Sequence, residues 1–126
     1  MSTKIYERQT VLVALIELTA ANQGAGNEVT AGLPTDAFVI DVTPVVGVPF
    51  NGTTPTVTLS DGTTTFVSAE VASAVAGTKL ATDSTAKFYP SGGVLTASVE
   101  GTGATVGRIL IAVQYVRLGR SHEIQS

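Results

Sequence analysis

The chain contains no cysteine, no tryptophan and a single histidine, His122, near its C-terminus. Without cysteine there is no disulfide framework and no thiolate metal site. Without tryptophan there is no broad aromatic platform for stacking a sugar, and Tyr6, Tyr89 and Tyr115 read as sheet or core packing residues. His122 stands beside Ser121 with no acid placed to complete a nucleophilic triad, so it reads as an exposed tail residue. Charge is scarce too. Asp, Glu, Lys and Arg make up 13% of the 126 residues, about half the usual ~25%. Such a surface is built from Thr, Ser, Asn, Gly and Ala. It is neutral and fairly flat, and another protein can cover it at low desolvation cost. A mean hydropathy of +0.34 is unusual for a free cytosolic monomer, which keeps itself soluble with charge.

The length predicts one domain with a real core. The net charge of −3 is unevenly spread. Residues 10–116 hold eight acids against Lys79, Lys87 and Arg108, a net of −5, while the ends hold Lys4, Arg8, Arg117 and Arg120 against Glu7 and Glu123. An acidic body with basic ends does not resemble a nucleic-acid binder, which gathers Lys and Arg on one face. Lys4 and Arg8 precede the apolar run Val11–Leu18, but Glu17 interrupts it and no small-x-small cleavage site follows, which argues against a secretory leader. The run is also far short of the ~20 residues that span a bilayer.

What is present is Val, Thr, Ala and Gly in strand-like runs. Residues 10–19, TVLVALIELT, read as a strand buried on both faces, with a short helix as the alternative. Residues 20–35 read as a long Gly- and Asn-rich loop, of a length usually functional or mobile. In the next strand Phe38, Ile40 and Val42 share one face, and Ala37, Val39 and Asp41 the other. Asn51-Gly52 marks a turn. The runs around Val57–Leu59 and Phe66, joined by Asp61-Gly62, predict a β-hairpin. Residues 69–82 suit either one or two helical turns or a strand at Lys79–Thr82. Lys87–Tyr89 is a short strand. Leu95, Ala97 and Val99 face one way from the next, and Ile109, Ile111, Val113 and Tyr115 one way from the last. About eight strands with frequent turns predict an all-β, antiparallel two-sheet sandwich. Its long apolar first and last strands are expected to lie centrally, and its Thr-rich strands outside.

Several constellations invite chemistry and lack its context. GTGATVGR (Gly101–Arg108) lies between two strands, has the wrong spacing for a dinucleotide loop, and lacks the Lys-Ser/Thr of a P-loop. It reads as a flexible connection. Asp36, Asp41, Asp61 and Asp83 have no EF-hand order, and Asp61 is explained by its turn. Asn51-Gly52-Thr53 fits a glycosylation acceptor but is already explained as a turn. No acid pair stands beside an aromatic groove of the kind glycoside hydrolysis needs.

The termini differ from the body. Residues 1–9 carry the anchors Ile5 and Tyr6 among charges, and residues 118–126 carry Leu118 and Ile124. Segments of this kind order on a neighbouring subunit or fray in solvent. The division expected is an N-terminal arm, 1–9, a sandwich, 10–117, and a C-terminal tail, 118–126.

About two-thirds of the chain resembles the capsid decoration, or cement, proteins of tailed bacteriophages and the related β-domains of head and tail fibres. The resemblance is carried by FVIDVTP (38–44), FNGTTPTVTLSDGT (50–63), AEVASAVAGTK (69–79) and ATVGRILIAVQYV (104–116). It implies a jelly-roll-like sandwich present in many copies on the capsid exterior, bridging major capsid proteins and stabilising the shell. It implies no catalytic residue, cofactor, metal, nucleic acid or membrane, and a homodimer or homotrimer. The residues expected to touch capsid or sister copies are Lys4, Ile5, Tyr6, Arg8, Arg117, Leu118, Arg120 and Ile124, together with the 20–35 loop. The alternative is a fibre domain that binds a host receptor or glycan through loop tips.

Overall fold

The computed structural model describes residues 10–71 and 75–118. Eight strands follow in order: β1 (Leu12–Thr19), β2 (Val29–Leu33), β3 (Ala37–Val48), β4 (Thr53–Ser60), β5 (Thr65–Glu70), β6 (Lys87–Tyr89), β7 (Gly93–Thr102) and β8 (Arg108–Arg117). They form two four-stranded sheets of order β1-β8-β3-β6 and β2-β7-β4-β5. Every strand pair is antiparallel. The chain changes sheet at every connection except the β4–β5 hairpin. Eight strands wound this way make a jelly roll. The all-β, two-sheet expectation and the hairpin at Asp61-Gly62 are both met.

The core lies between the sheets and follows the period-2 rule. Ile109, Ile111 and Val113 of β8 face Leu95, Ala97 and Val99 of β7, Val57 and Leu59 of β4, and Phe66 of β5, all buried. Phe50 closes one end of this core and Tyr89 joins it from β6.

In β3 the expected faces are overturned. Ala37, Val39, Val42 and Val46 are buried, whereas Phe38 and Ile40 point outward. A register shift against β8 between Val39 and Asp41 inserts one extra residue, and a bulge of that kind switches which parity faces inward. A pure alternation rule cannot see it.

Strand β1 departs from expectation twice. It lies at the edge of its sheet, so that of the first and last strands β8 alone is interior. It is also buried on one face only. Ile16 and Leu18 are inside, while Val11, Val13 and Leu15 are 49, 55 and 67% exposed. Of the Thr-rich strands, β5 is an edge and β4 is interior. The 20–35 segment is not one long loop, since it holds a 3₁₀ turn, Ala20–Asn22, and strand β2. No helix forms among the described residues of 69–82, and Lys79 makes an isolated bridge to Val45 instead.

The 103–107 connection is pinned and not free. Gln23 Oε1 accepts from the Ala104 N–H at 2.8 Å, and Asn51 Oδ1 accepts from the Thr105 and Val106 N–H groups at 2.7 and 3.1 Å. Asn51 therefore serves as a side-chain clamp between two crossovers, beyond its turn role.

Candidate interaction face

The two outer faces of the sandwich differ in chemistry. On the β2-β7-β4-β5 sheet the outward positions pair hydroxyl with hydroxyl: Thr30 with Thr96, Ser60 with Thr96, and Thr58 with both Ser98 and Ser68. On the β1-β8-β3-β6 sheet they are mostly apolar. Leu15 lies opposite Ala112, Leu110 opposite Val45, and Val116 opposite Phe38. Phe38 also pairs with Phe88 of β6, their rings meeting edge-on at 6.5 Å and 88°. Gln114, Asp41 and Thr43 interrupt these apolar positions, yet grouping on one face marks an interaction surface more strongly than scattered exposed valines do.

One charge pair on this face is satisfied internally. Glu17 Oε2 accepts from Arg108 Nη2 at 2.8 Å and from Nε at 2.9 Å. Asp41 Oδ1 accepts from the Val42 N–H at 2.9 Å. A partner covering the face meets one charge pair already neutralised within the chain, and one carboxylate, Asp41, without a cationic partner among the described residues.

Residues 10 and 118, the outermost described residues, lie at one corner of this sheet. Leu12 of β1 is paired with Tyr115 of β8, so residue 10 and residue 118 leave from neighbouring strands. The Leu118 N–H donates to the Asp36 carbonyl at 2.9 Å, just before the start of β3. Arg117 is exposed and opposite Ala37. Of the residues expected to make contacts, Arg117 and Leu118 are thus at this corner, beside Phe38 and Val116. Lys4, Ile5, Tyr6, Arg8, Arg120 and Ile124 lie outside the described residues.

The strongest polar cluster is elsewhere, and its parts are far apart in sequence. Asp61, in the β4–β5 turn, has a side chain only 6% exposed. Its carboxylate accepts from Lys87 Nζ at 2.6 Å, Tyr89 Oη at 2.8 Å, and the Thr63 and Thr64 N–H groups at 2.8 and 2.6 Å. Lys87 also donates to Thr64 Oγ1 at 2.9 Å and sits 5.2 Å from the centre of the Tyr89 ring. Burial by itself would raise the Asp61 pKa. The Lys87 ammonium, the two N–H groups and the Tyr89 hydroxyl outweigh it and hold the carboxyl well below the usual carboxylate range. Tyr89 is pushed above the usual phenol value, first by burial and then by its bond to the Asp61 anion. Both carboxylate oxygens of Asp61 and all three ammonium protons of Lys87 are engaged. The cluster ties the hairpin of one sheet to β6 of the other and is built for holding, not for proton transfer. Asp61 was legible as a turn residue, but Lys87 and Tyr89 carry no sequence signal of their partnership.

A shallow cleft lined by Gly24, Ala25, Glu28 and Ser98–Gly101 lies at the opposite end of the sandwich from residues 10 and 118. No group of three or more His, Asp or Glu side chains among the described residues could hold a metal ion. No described helix is long and apolar enough to cross a membrane.

The fold and this arrangement define a jelly-roll module with one hydroxylated and one apolar face. The sequence matches no protein-family profile and no curated protein. Its fold is similar to that of a chain in the acid-stable capsid structure of Helicobacter pylori bacteriophage KHP30. The TM-score is 0.69 at 21% identity, and the match covers 100% of this chain and 98% of that one.

Proposed function

We propose that this chain is a non-enzymatic structural protein of a phage virion, which binds the outside of the assembled capsid and stabilises it by bridging major capsid proteins. The observation that carries the reading is the end-to-end likeness to a chain of a phage capsid structure. The mostly apolar face and the densely hydrogen-bonded Asp61 cluster support it, since both suit a module that holds other proteins together. A protein that binds only the assembled shell stabilises that shell by linkage. Weak contacts repeated over many copies reinforce one another. In this reading the terminal arms supply specificity. Lys4, Arg8, Arg117 and Arg120 meet acidic patches on the shell, and the apolar anchors Ile5, Tyr6, Leu118 and Ile124 fill its grooves. The 20–35 segment contributes contacts to capsid or sister copies.

The test is binding to shells assembled from the major capsid protein encoded alongside this chain. Co-sedimentation in hundreds of copies per particle, with a higher temperature of shell disruption, is the expected result. No binding to shells, or a few to a few dozen copies per virion, overturns the reading, and the low copy number would favour a receptor-binding fibre domain.

A further inference from the structure

We infer that Asn51 is a site of spontaneous deamidation, held shut in the folded chain by the 103–107 connection and opened when that connection lifts. Of the three asparagines, Asn22 precedes Gln23, Asn27 precedes Glu28 and Asn51 precedes Gly52. An asparagine loses its side-chain amide when the backbone nitrogen of the next residue attacks it. Glycine has no side chain to shield that nitrogen, and its backbone bends freely into the ring that the attack forms. Asn51 and Gly52 are both exposed, so water reaches them.

The fold itself requires this labile pair. Asn51 Oδ1 accepts from the Thr105 and Val106 N–H groups at 2.7 and 3.1 Å, while Asn51 Nδ2 donates to Thr105 Oγ1 at 2.8 Å. Position 51 thus needs an acceptor and a donor on one short side chain, which an amide supplies. Gly52 has a φ of +94°, and a Cβ there would stand 2.5 Å from the Thr102 carbonyl oxygen and 2.8 Å from the Ala104 nitrogen. Position 52 therefore needs glycine.

The reaction balances with water alone. The Gly52 nitrogen gives its proton to solvent base and bonds to Asn51 Cγ. The Cγ–Nδ2 bond breaks, and Nδ2 takes a proton from water and leaves as ammonia. Water then opens the cyclic imide at Cγ, giving aspartate, or at the backbone carbonyl of residue 51, giving isoaspartate. Ring closure draws Cγ onto the Gly52 nitrogen and makes it tetrahedral, which pulls Oδ1 and Nδ2 off their partners. In the folded chain that movement breaks three hydrogen bonds to residues 54 and 55 positions away. Gln23 Oε1, which accepts from the Ala104 N–H at 2.8 Å, is a second side chain holding the same connection. Lifting it is a local opening, separate from global unfolding. The isoaspartate product has an extra methylene in its backbone and a shorter acidic branch, so the clamp is not rebuilt. Each conversion leaves the connection looser and one negative charge richer. The inference stands apart from the capsid reading, and its test needs no shell.

The experiment incubates the full-length chain in mildly alkaline buffer and follows each asparagine by peptide mass mapping, with isoaspartate counted separately. In the urea-unfolded chain Asn51 should convert well before Asn22 and Asn27. In the folded chain Asn51 should convert at least about 10-fold more slowly than in urea, because reaction then waits on local opening. Gln23→Ala should raise the folded rate about 3-fold or more by removing one bond that holds the connection, and should leave the rate in urea unchanged. Thr105→Val, at an exposed position, removes the acceptor of Asn51 Nδ2 and should act in the same direction. Circular dichroism checks that each variant is folded. Equal rates in the folded and unfolded chain, or a folded rate indifferent to both substitutions, overturn the gate. Conversion of Asn51 no faster than that of Asn22 or Asn27 in urea overturns the site.

Discussion

Asp61 and Lys87 belong to different sheets and meet at 2.6 Å. Their ion pair, with Tyr89, is a buried polar link between two sheets whose facing surfaces are apolar.

Asp61→Asn should destabilise the fold by about 2 kcal/mol at neutral pH, a value kept low because Lys87 is 31% exposed and partly screened by solvent. The pH dependence has a definite sign. The folded carboxyl titrates below its unfolded value, so its stabilisation is fully present above about pH 3.9 and is lost as pH falls below that. The gap between wild type and Asp61→Asn, read from urea unfolding, should be widest near neutrality and should shrink on acidification below that point.

Tyr89→Phe removes one hydrogen bond to the buried anion and leaves the ring in place, so a loss of about 1.5 kcal/mol is expected. Because the folded phenol titrates above its unfolded value, its contribution is intact below about pH 10 and is lost as pH rises through the folded pKa. Alkaline unfolding should begin at lower denaturant concentration in wild type as pH passes that value, and Tyr89→Phe should lack this component.

Gly107→Ala should cost more than Gly103→Ala. Both glycines have positive φ, +153° and +78°. A Cβ at Gly103 meets open space, and the expected cost is the backbone strain of about 1–2 kcal/mol. A Cβ at Gly107 would run into the ring of buried Phe50, which adds about 1–3 kcal/mol of overpacking. Thermal melting of the two variants gives the comparison directly.

Deleting residues 1–9 should abolish binding to capsid shells while circular dichroism and melting of the sandwich stay near wild type. Unchanged shell binding by the truncated chain would remove the arm from the contact surface.

Much of this architecture was legible from pattern. Leu95, Ala97 and Val99, and Ile109, Ile111 and Val113, alternate without interruption and are buried as alternation requires. The Asp61-Gly62 turn named its own hairpin. Two errors share a cause. Hydrophobicity shows that a residue prefers burial but not which of two faces is covered. In β1, Glu17 has the same parity as Val13 and Leu15, and that one charge was the available sign that this face looks outward. In β3 the bulge at Ile40 had no local signature, because it arises from pairing with β8.

The sequence by itself determined a charge-poor, two-sheet β protein without cysteine, because strand period and composition are local properties. Only the tertiary structure decided how the outward residues were sorted. Winding the chain alternately between two sheets gathers threonines and serines from β2, β4, β5 and β7 on one surface. Apolar residues from β1, β3, β6 and β8 gather on the other. The same winding sets β1 at an edge and brings Asp61 to Lys87 and Tyr89. Contacts between residues 26 and 28 positions apart depend on strand order, and no window of sequence contains it.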